Sequence, residues 1–165
     1  MGSNVKHPTT KIGNLAFFTA LEQELAACGS VRFRVKGISM RPMLRNNLDE
    51  VQLVPCVDES LSPGDICLFK FQGRHILHRF IRKEGELYYF RGDNVLKNYE
   101  YCSREQIIGV VKVVYRNGHA LSPTTNGWNF RIKVNRFKLQ IRFAVSSCLP
   151  KQLKDVLKKV LGIRR

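Results

Sequence analysis

The serine at position 39 is the first residue whose setting suggests chemistry. A strand-like segment runs into a glycine, and the serine follows at a turn in the sequence Gly37-Ile38-Ser39-Met40-Arg41-Pro42. A serine hydroxyl becomes a nucleophile when a neighbouring base removes its proton. Because many serines after a glycine only form turns, this segment by itself leaves a nucleophile and a turn residue as alternatives.

Histidine is the residue type best suited to take that proton, since its ordinary pKa of about 6.5 leaves neutral imidazole at physiological pH. His75 and His78 lie three positions apart in a predicted strand, where their side chains point to opposite faces. Only one of them can therefore meet Ser39. The same geometry argues against a metal site built from this pair, and we predict neither a metal nor a cofactor. Lys70, in the preceding predicted strand, is a weaker alternative base and is interpreted as a solvated charge.

Asp93 is the first candidate for an acid that orients the histidine and stabilises its imidazolium form, as in other serine hydrolases. It lies in Gly92-Asp93-Asn94, which is also a good tight-turn sequence in which the aspartate would bond its own backbone. Both interpretations stay open from these residues.

Four blocks in a fixed order between Val31 and Val114 resemble the S24/S26 peptidases, the family of type I signal peptidases and self-cleaving repressors. They are a nucleophile box, a strand-turn box, a general-base box and a closing box. In this sequence these blocks are Gly37-Ile38-Ser39-Met40-Arg41-Pro42-Met43-Leu44, Leu61-Ser62-Pro63-Gly64-Asp65-Ile66-Cys67, His78-Arg79-Phe80, and Gly92-Asp93-Asn94 followed by Ile108-Gly109-Val110-Val111.

The resemblance implies a serine endopeptidase in which Ser39 is the nucleophile and His78 the general base. Bacterial signal peptidases and repressors use a lysine as base, whereas the endoplasmic-reticulum and archaeal-type enzymes use a histidine. That branch often has its acid in a pair of aspartates shortly after the closing turn, where this chain has Tyr99-Glu100. Glu100 is therefore the alternative acid, and we rank Asp93 somewhat above it.

The resemblance also implies that a substrate peptide adds as an extended strand beside the nucleophile, with a shallow pocket for small side chains. The matching positions are Lys36, Gly37, Ile38, Ile76 and Leu77. Bacterial signal peptidases have a second serine where this chain has Gly37. The oxyanion donors are therefore expected to be backbone amides, with the Ser39 N–H first, and Arg41 is interpreted as solvated or paired with a carboxylate.

The elements that must position these residues follow from the hydrophobic periodicity. Apolar residues recur at helical spacing between Thr10 and Cys28, and Gly29 follows as a C-cap, which predicts an amphipathic helix. Short alternating or apolar runs separated by turns then predict strands. They lie at residues 31–36, 51–54, 66–71, 76–81, 87–90 and 107–115. The predicted fold is mostly β (α+β), a signal-peptidase-like β domain at 30–120, after a helix at 1–29 and before a loop and basic tail at 121–165.

The tail carries most of the charge of this strongly basic chain. The formal net charge is +15, and from Phe130 onwards eleven Lys and Arg face a single acid, Asp155. Residues 130–145 fit the period of a strand and of a helix, and the apolar face of Leu153 to Leu161 predicts a short basic helix. Because phosphate binding does not need such an apolar face, an anionic membrane surface or a protein is favoured as a partner over nucleic acid, and packing of this helix on the β domain is the alternative.

Composition narrows the class of protein further. Five widely spaced cysteines without a CxxC pair predict reduced thiols, and no apolar run is long enough to span a membrane. We expect a cytoplasmic or membrane-peripheral enzyme that cleaves a leader or precursor peptide. The alternatives are a repressor-type regulator that cleaves itself in Ala27-Cys28-Gly29, and a non-catalytic basic module that binds membrane or nucleic acid.

Overall fold

A computed structural model of the chain describes residues 14–56, 61–123 and 126–148. It contains two α-helices and eight strands, with one 3₁₀ turn at Arg104–Gln106. In chain order the elements are α1 (Asn14–Cys28), β1 (Val31–Arg34), β2 (Glu50–Pro55), β3 (Ile66–Phe71), β4 (Arg74–Glu84), β5 (Leu87–Arg91), β6 (Glu100–Cys102), β7 (Ile107–Arg116), β8 (His119–Leu121) and α2 (Asn126–Cys148). The prediction of a mostly β chain after an N-terminal helix is confirmed.

The strands form one curled antiparallel sheet in the order β1-β2-β7-β3-β4-β5-β6, with β8 added beside β7. Gly109 allows the curl where β7 passes between β2 and β3. A methyl group at Gly109 would lie 2.5 Å from the carbonyl oxygen of Val54. The ladders on both sides of this glycine shift register, between Gln52 and Leu53 and between Leu68 and Phe69. Irregularities of this kind bend a strand and increase its twist.

Two apolar clusters lie on opposite faces of the sheet, since Ile66 and Leu68 of β3 belong to the first and Cys67 and Phe69 to the second. The first joins Leu21 and Leu25 of α1 to the segment after Ser39, to β2 and to Ile132 of α2. The second is aromatic, with Phe69 and Phe90 stacked at 4.1 Å between ring centroids. Helix α1 therefore packs on the sheet by its predicted apolar stripe, which contributes roughly 1.5–3 kcal/mol for each large side chain removed from water.

A buried carboxylate anchors the segment that follows Ser39. Asp49 is fully buried and accepts hydrogen bonds from Arg45 and Arg116, at 2.9 Å and 2.7 Å. Burial alone would raise the pKa of the Asp49 carboxyl, but the hydrogen bonds from Arg116 and Arg45 outweigh it, and the pKa lies below its ordinary value. Residues 40–49 are therefore held in place by the ion pairs of Asp49 as well as by the burial of Met40 and Met43.

Most predicted elements are confirmed, with three differences. The three-residue strands β6 and β8 were not predicted, because segments this short carry too little periodicity. The sequence pattern of residues 122–128, rich in Thr, Asn, Pro and Gly, predicts the loop that opens the 121–165 segment, and this prediction is wrong at its end, since α2 begins at Asn126. The ambiguous residues 130–145 are helical, and the predicted helix at Leu153 to Leu161 lies outside the described residues.

The thiols of Cys28, Cys67 and Cys102 are not in disulfides. Burial raises the pKa of Cys67 well above its ordinary value and that of Cys102 to about 12, so both are inert in the folded chain. Neither helix, over its described length, is long and apolar enough to cross a membrane.

Candidate active site

The loop that carries Ser39 is held on both sides. Gly37 adopts a φ of 108°, a conformation that favours glycine, and its N–H donates to Oδ1 of Asn46 at 2.8 Å. Met40 and Leu44, after the serine, are buried in the first apolar cluster. Ser39 itself is half-buried. The turn predicted from sequence is thus a fixed loop whose serine borders solvent.

Gly92 is the point at which Ser39 and His78 come together. A methyl group placed on Gly92 would lie 2.7 Å from the carbonyl oxygen of Ser39 and 3.0 Å from Nε2 of His78. The same carbonyl oxygen accepts a hydrogen bond from the N–H of Asn94 at 2.7 Å. The turn Gly92-Asp93-Asn94, the closing turn, therefore packs against both the serine loop and the histidine ring. Only a residue without a side chain fits at position 92.

His78 lies on β4 with its ring shielded from water, at 5% exposure. Its Nδ1 is 2.9 Å from Oε2 of Glu100 on β6. Because a carboxylate only accepts hydrogen bonds, Nδ1 donates to Glu100, and in the neutral imidazole Nε2, beside Gly92, is then the acceptor nitrogen. This is the tautomer that a general base for Ser39 needs.

The preferred acid of the sequence analysis is corrected by this geometry. Asp93 is fully buried and binds Arg79 through two hydrogen bonds of 2.9 Å each, instead of His78. The tight-turn interpretation, in which the Asp93 carboxylate bonds the backbone of its own turn, does not account for these contacts either. The Asp93 carboxylate forms a bidentate ion pair with the neighbour of the base, and Glu100 takes the position next to the imidazole.

Strand register explains why the two carboxylates have these partners. Phe80 on β4 pairs with Phe90 on β5, which pairs with Glu100 on β6, so these three side chains share one face of the sheet. His78 is two positions before Phe80 and points to that same face. Arg79 points to the opposite face, where Asp93 meets it.

The other candidate bases have partners on helix α1. The ring of His75 stacks on Phe18 at 4.1 Å between centroids, and its Nε2 is 2.8 Å from Oε1 of Glu22. Lys70, expected to be solvated, donates to Oε2 of the same glutamate at 2.8 Å. Burial raises the pKa of Glu22, but the hydrogen bonds from Lys70 and His75 outweigh it and the pKa is lowered. Of these three candidate bases, only His78 contacts the closing turn that holds Ser39.

A cleft of about 250 Å³ opens beside Ser39 and His78. It is lined by Val35, Lys36, Gly37, Ser39, Met40, His75, Ile76, Leu77 and His78. Four of the five predicted substrate-binding residues are in this set. The fifth, Ile38, is 59% exposed and is not part of the lining. Arg41 is exposed as well.

One wall of the cleft is an open strand edge. β3 pairs with β4 from Arg74 to Arg79, whereas β5 covers the other side of β4 only from Arg79 onwards. Among the described strands, none pairs with the second side of Arg74 to His78. The backbone there can accept an extended peptide as an added strand.

Some residues of the site were not identified from sequence. Arg79 directly follows the predicted base in the general-base box, and this adjacency was a weak signal that it belongs to the site. Asn135 of α2, whose Nδ2 donates to the carbonyl oxygen of Asp93 at 3.1 Å, lay in a segment of undecided structure. The described residues contain no group of three or more His, Cys, Asp and Glu side chains able to hold a metal ion.

Comparison with protein-family models gives no match to this chain, and comparison with curated proteins gives none either.

Proposed function

We propose that this chain is a serine endopeptidase of the signal-peptidase type, in which Ser39 is the nucleophile and His78 the general base. The observation that carries the proposal is the packing at Gly92, where Nε2 of His78 and the backbone of Ser39 approach the same Cα beside the cleft. Two residues 39 positions apart in sequence are held together by a turn that has no room for a side chain. The resemblance of the four sequence blocks supports the same assignment.

In the proposed reaction, Oγ of Ser39 attacks the carbonyl carbon of the scissile bond while Nε2 of His78 takes the hydroxyl proton. Glu100 accepts the hydrogen bond from Nδ1 and stabilises the imidazolium that forms. The imidazolium then protonates the leaving amine, and water, deprotonated by the same imidazole, hydrolyses the acyl-enzyme. The free backbone edge of β4 before His78 would align the substrate as an added strand.

The cleft lining suggests the class of side chain that the substrate presents to it. Val35, Met40 and Leu77 are apolar, and the volume of about 250 Å³ suits a small or medium apolar residue. A leader or precursor peptide with such residues before its cleavage site is the proposed substrate. The alternative of self-cleavage after Cys28 is disfavoured by the local backbone. Cys28 is the last residue of α1, and the N–H of Gly29 donates to the carbonyl oxygen of Leu25 at the end of the helix. The Cys28–Gly29 bond is therefore not in an extended strand.

The decisive experiment is incubation of the purified chain with a library of peptides carrying small or medium apolar residues, followed by mass spectrometry of the products. Ser39→Ala should lower the cleavage rate by about 10³-fold or more, since the nucleophile is lost and the fold is kept. Ser62→Ala, an exposed serine in the turn before β3, is the matched control and should cleave at the wild-type rate. Cleavage by the Ser39→Ala chain at the wild-type rate would refute the assignment.

A further inference from the structure

Helix α2 is attached to the candidate active site by its inner face. Ile132 is buried in the first apolar cluster, at 5% exposure. One helical turn later, Nδ2 of Asn135 donates to the carbonyl oxygen of Asp93, in the same turn that holds Ser39 and His78. The helix therefore lies against the back of the closing turn.

The outer face of α2 is apolar and exposed. Its residues recur at steps of four, three and four, which places them on one side of a helix. They are Phe130 at 69% exposure, Val134 at 36%, Phe137 at 63% and Ile141 at 47%. At about 100° per residue this stripe points away from Ile132 and Asn135. We call these four residues the outer stripe of α2.

Cations surround the outer stripe. Between Asn126 and Cys148 the sequence has five Lys and Arg and no acid, and it has six more cations against one acid after Cys148. On the helix, Arg131 and Lys138 flank the stripe on one side and Lys133 on the other, and all three are exposed. An exposed apolar stripe with cations on both flanks is the arrangement of a helix that lies in the headgroup region of a bilayer.

Charge decides between a lipid surface and the other occupants of such a stripe. A second copy of the chain would bring the same five cations against the first five, and like charges oppose that contact. Nucleic acid would satisfy the cations, but phosphate binding leaves the two exposed phenylalanines of the stripe without a role. An anionic phospholipid surface supplies negative headgroups for the cations and acyl chains for the stripe.

We propose that the outer stripe of α2 binds an anionic phospholipid surface. The helix then holds the closing turn one helix diameter, ~10 Å, from that surface. The chain is thereby a peripheral protein whose cleft faces peptides at the membrane surface. The role of the cleft rests on the proposed peptidase function, whereas the binding of α2 to lipid does not.

The test is co-sedimentation of the full chain with sucrose-loaded vesicles of phosphatidylcholine alone and of phosphatidylcholine mixed with phosphatidylglycerol. The wild type should partition at least tenfold more strongly onto the anionic vesicles. The double substitution Phe130→Ser/Phe137→Ser should lower that partitioning by at least tenfold, because two aromatic rings no longer enter the lipid. Gln140→Ser, exposed on the same helix outside the stripe, is the control and should bind as wild type does. Circular dichroism checks that the variants are folded.

Two outcomes would overturn this proposal: no vesicle binding by the folded wild type, whether or not it binds duplex DNA, or equal binding by the stripe variant and the wild type. The Ser39→Ala chain should sediment like the wild type. Vesicle binding that persists in a chain without Ser39-dependent cleavage would refute the peptidase alone, and cleavage without binding would refute the membrane contact alone.

Discussion

The carboxylate of Glu100 lies 2.9 Å from Nδ1 of His78, at the end of a row of paired residues that crosses three strands. In the neutral imidazole this contact places the proton on Nδ1 and leaves Nε2, beside Gly92, as the acceptor. In the proposed mechanism this contact makes Glu100, rather than Asp93 of the closing turn, the residue that would orient the base.

Replacing Glu100 by Gln should lower kcat/KM by about 10²–10⁴-fold, because the amide no longer stabilises the imidazolium and permits the wrong tautomer. Glu100→Asp should recover part of the rate. Steady-state cleavage of the best library peptide measures both, with the exposed Glu86→Gln as a control for the same chemical change. A Glu100→Gln chain as active as the control would remove Glu100 from the proposed mechanism.

Gly92→Ala should damage activity more than stability. The added methyl would lie 2.7 Å from the Ser39 carbonyl oxygen and 3.0 Å from Nε2 of His78, so one of them must move. A displacement of about 1 Å costs roughly 10²-fold in rate. Gly85→Ala, in the β4–β5 turn with open space around it, is the control and should keep the wild-type kcat/KM. Equal activity of the two variants would contradict the packing described here.

The buried Arg79–Asp93 pair should control stability rather than proton transfer. Asp93→Ala leaves the guanidinium buried without its carboxylate, at a cost of about 3–5 kcal/mol in the free energy of unfolding. Urea unfolding measures this loss, and the double substitution Arg79→Met/Asp93→Leu should restore part of it.

The pH profile separates this role from that of Glu100. Where the Asp93→Ala chain is still folded, its cleavage should follow the wild-type pH dependence, because Asp93 binds Arg79 and not His78. A changed profile would instead return Asp93 to the proton-transfer pathway.

Asp49 should make the fold sensitive to acid. Its carboxyl has a folded-state pKa below the ordinary 3.8, so its stabilisation is fully present above that value and is lost as pH falls through the folded pKa. Asp49→Asn should therefore cost about 2 kcal/mol at pH 7, and this difference should shrink below about pH 4. Urea unfolding at a series of pH values checks this, with the exposed Glu24→Gln as control. A difference that grows in acid would contradict the sign of the shift.

The sequence predicted the long elements because their periodicity is local. Leu21 and Leu25 mark the buried stripe of α1, and the alternation in β1 marks its inner face, whatever the rest of the chain does. The strands β6 and β8 were missed, since three residues are shorter than any period that a pattern can reveal. Residues 130–145 stayed ambiguous because their apolar positions fit two periods equally well.

By itself the sequence determined the two residues of the proposed dyad and the segments that carry them. The nucleophile box and the base box are each a run of consecutive residues, so they can be found without the fold. Tertiary structure alone decided which acid reaches His78, because cross-strand register depends on how β4, β5 and β6 pair. It also decided that α2 turns Asn135 inward and Phe137 outward, because that orientation comes from contacts with the closing turn, far away in sequence.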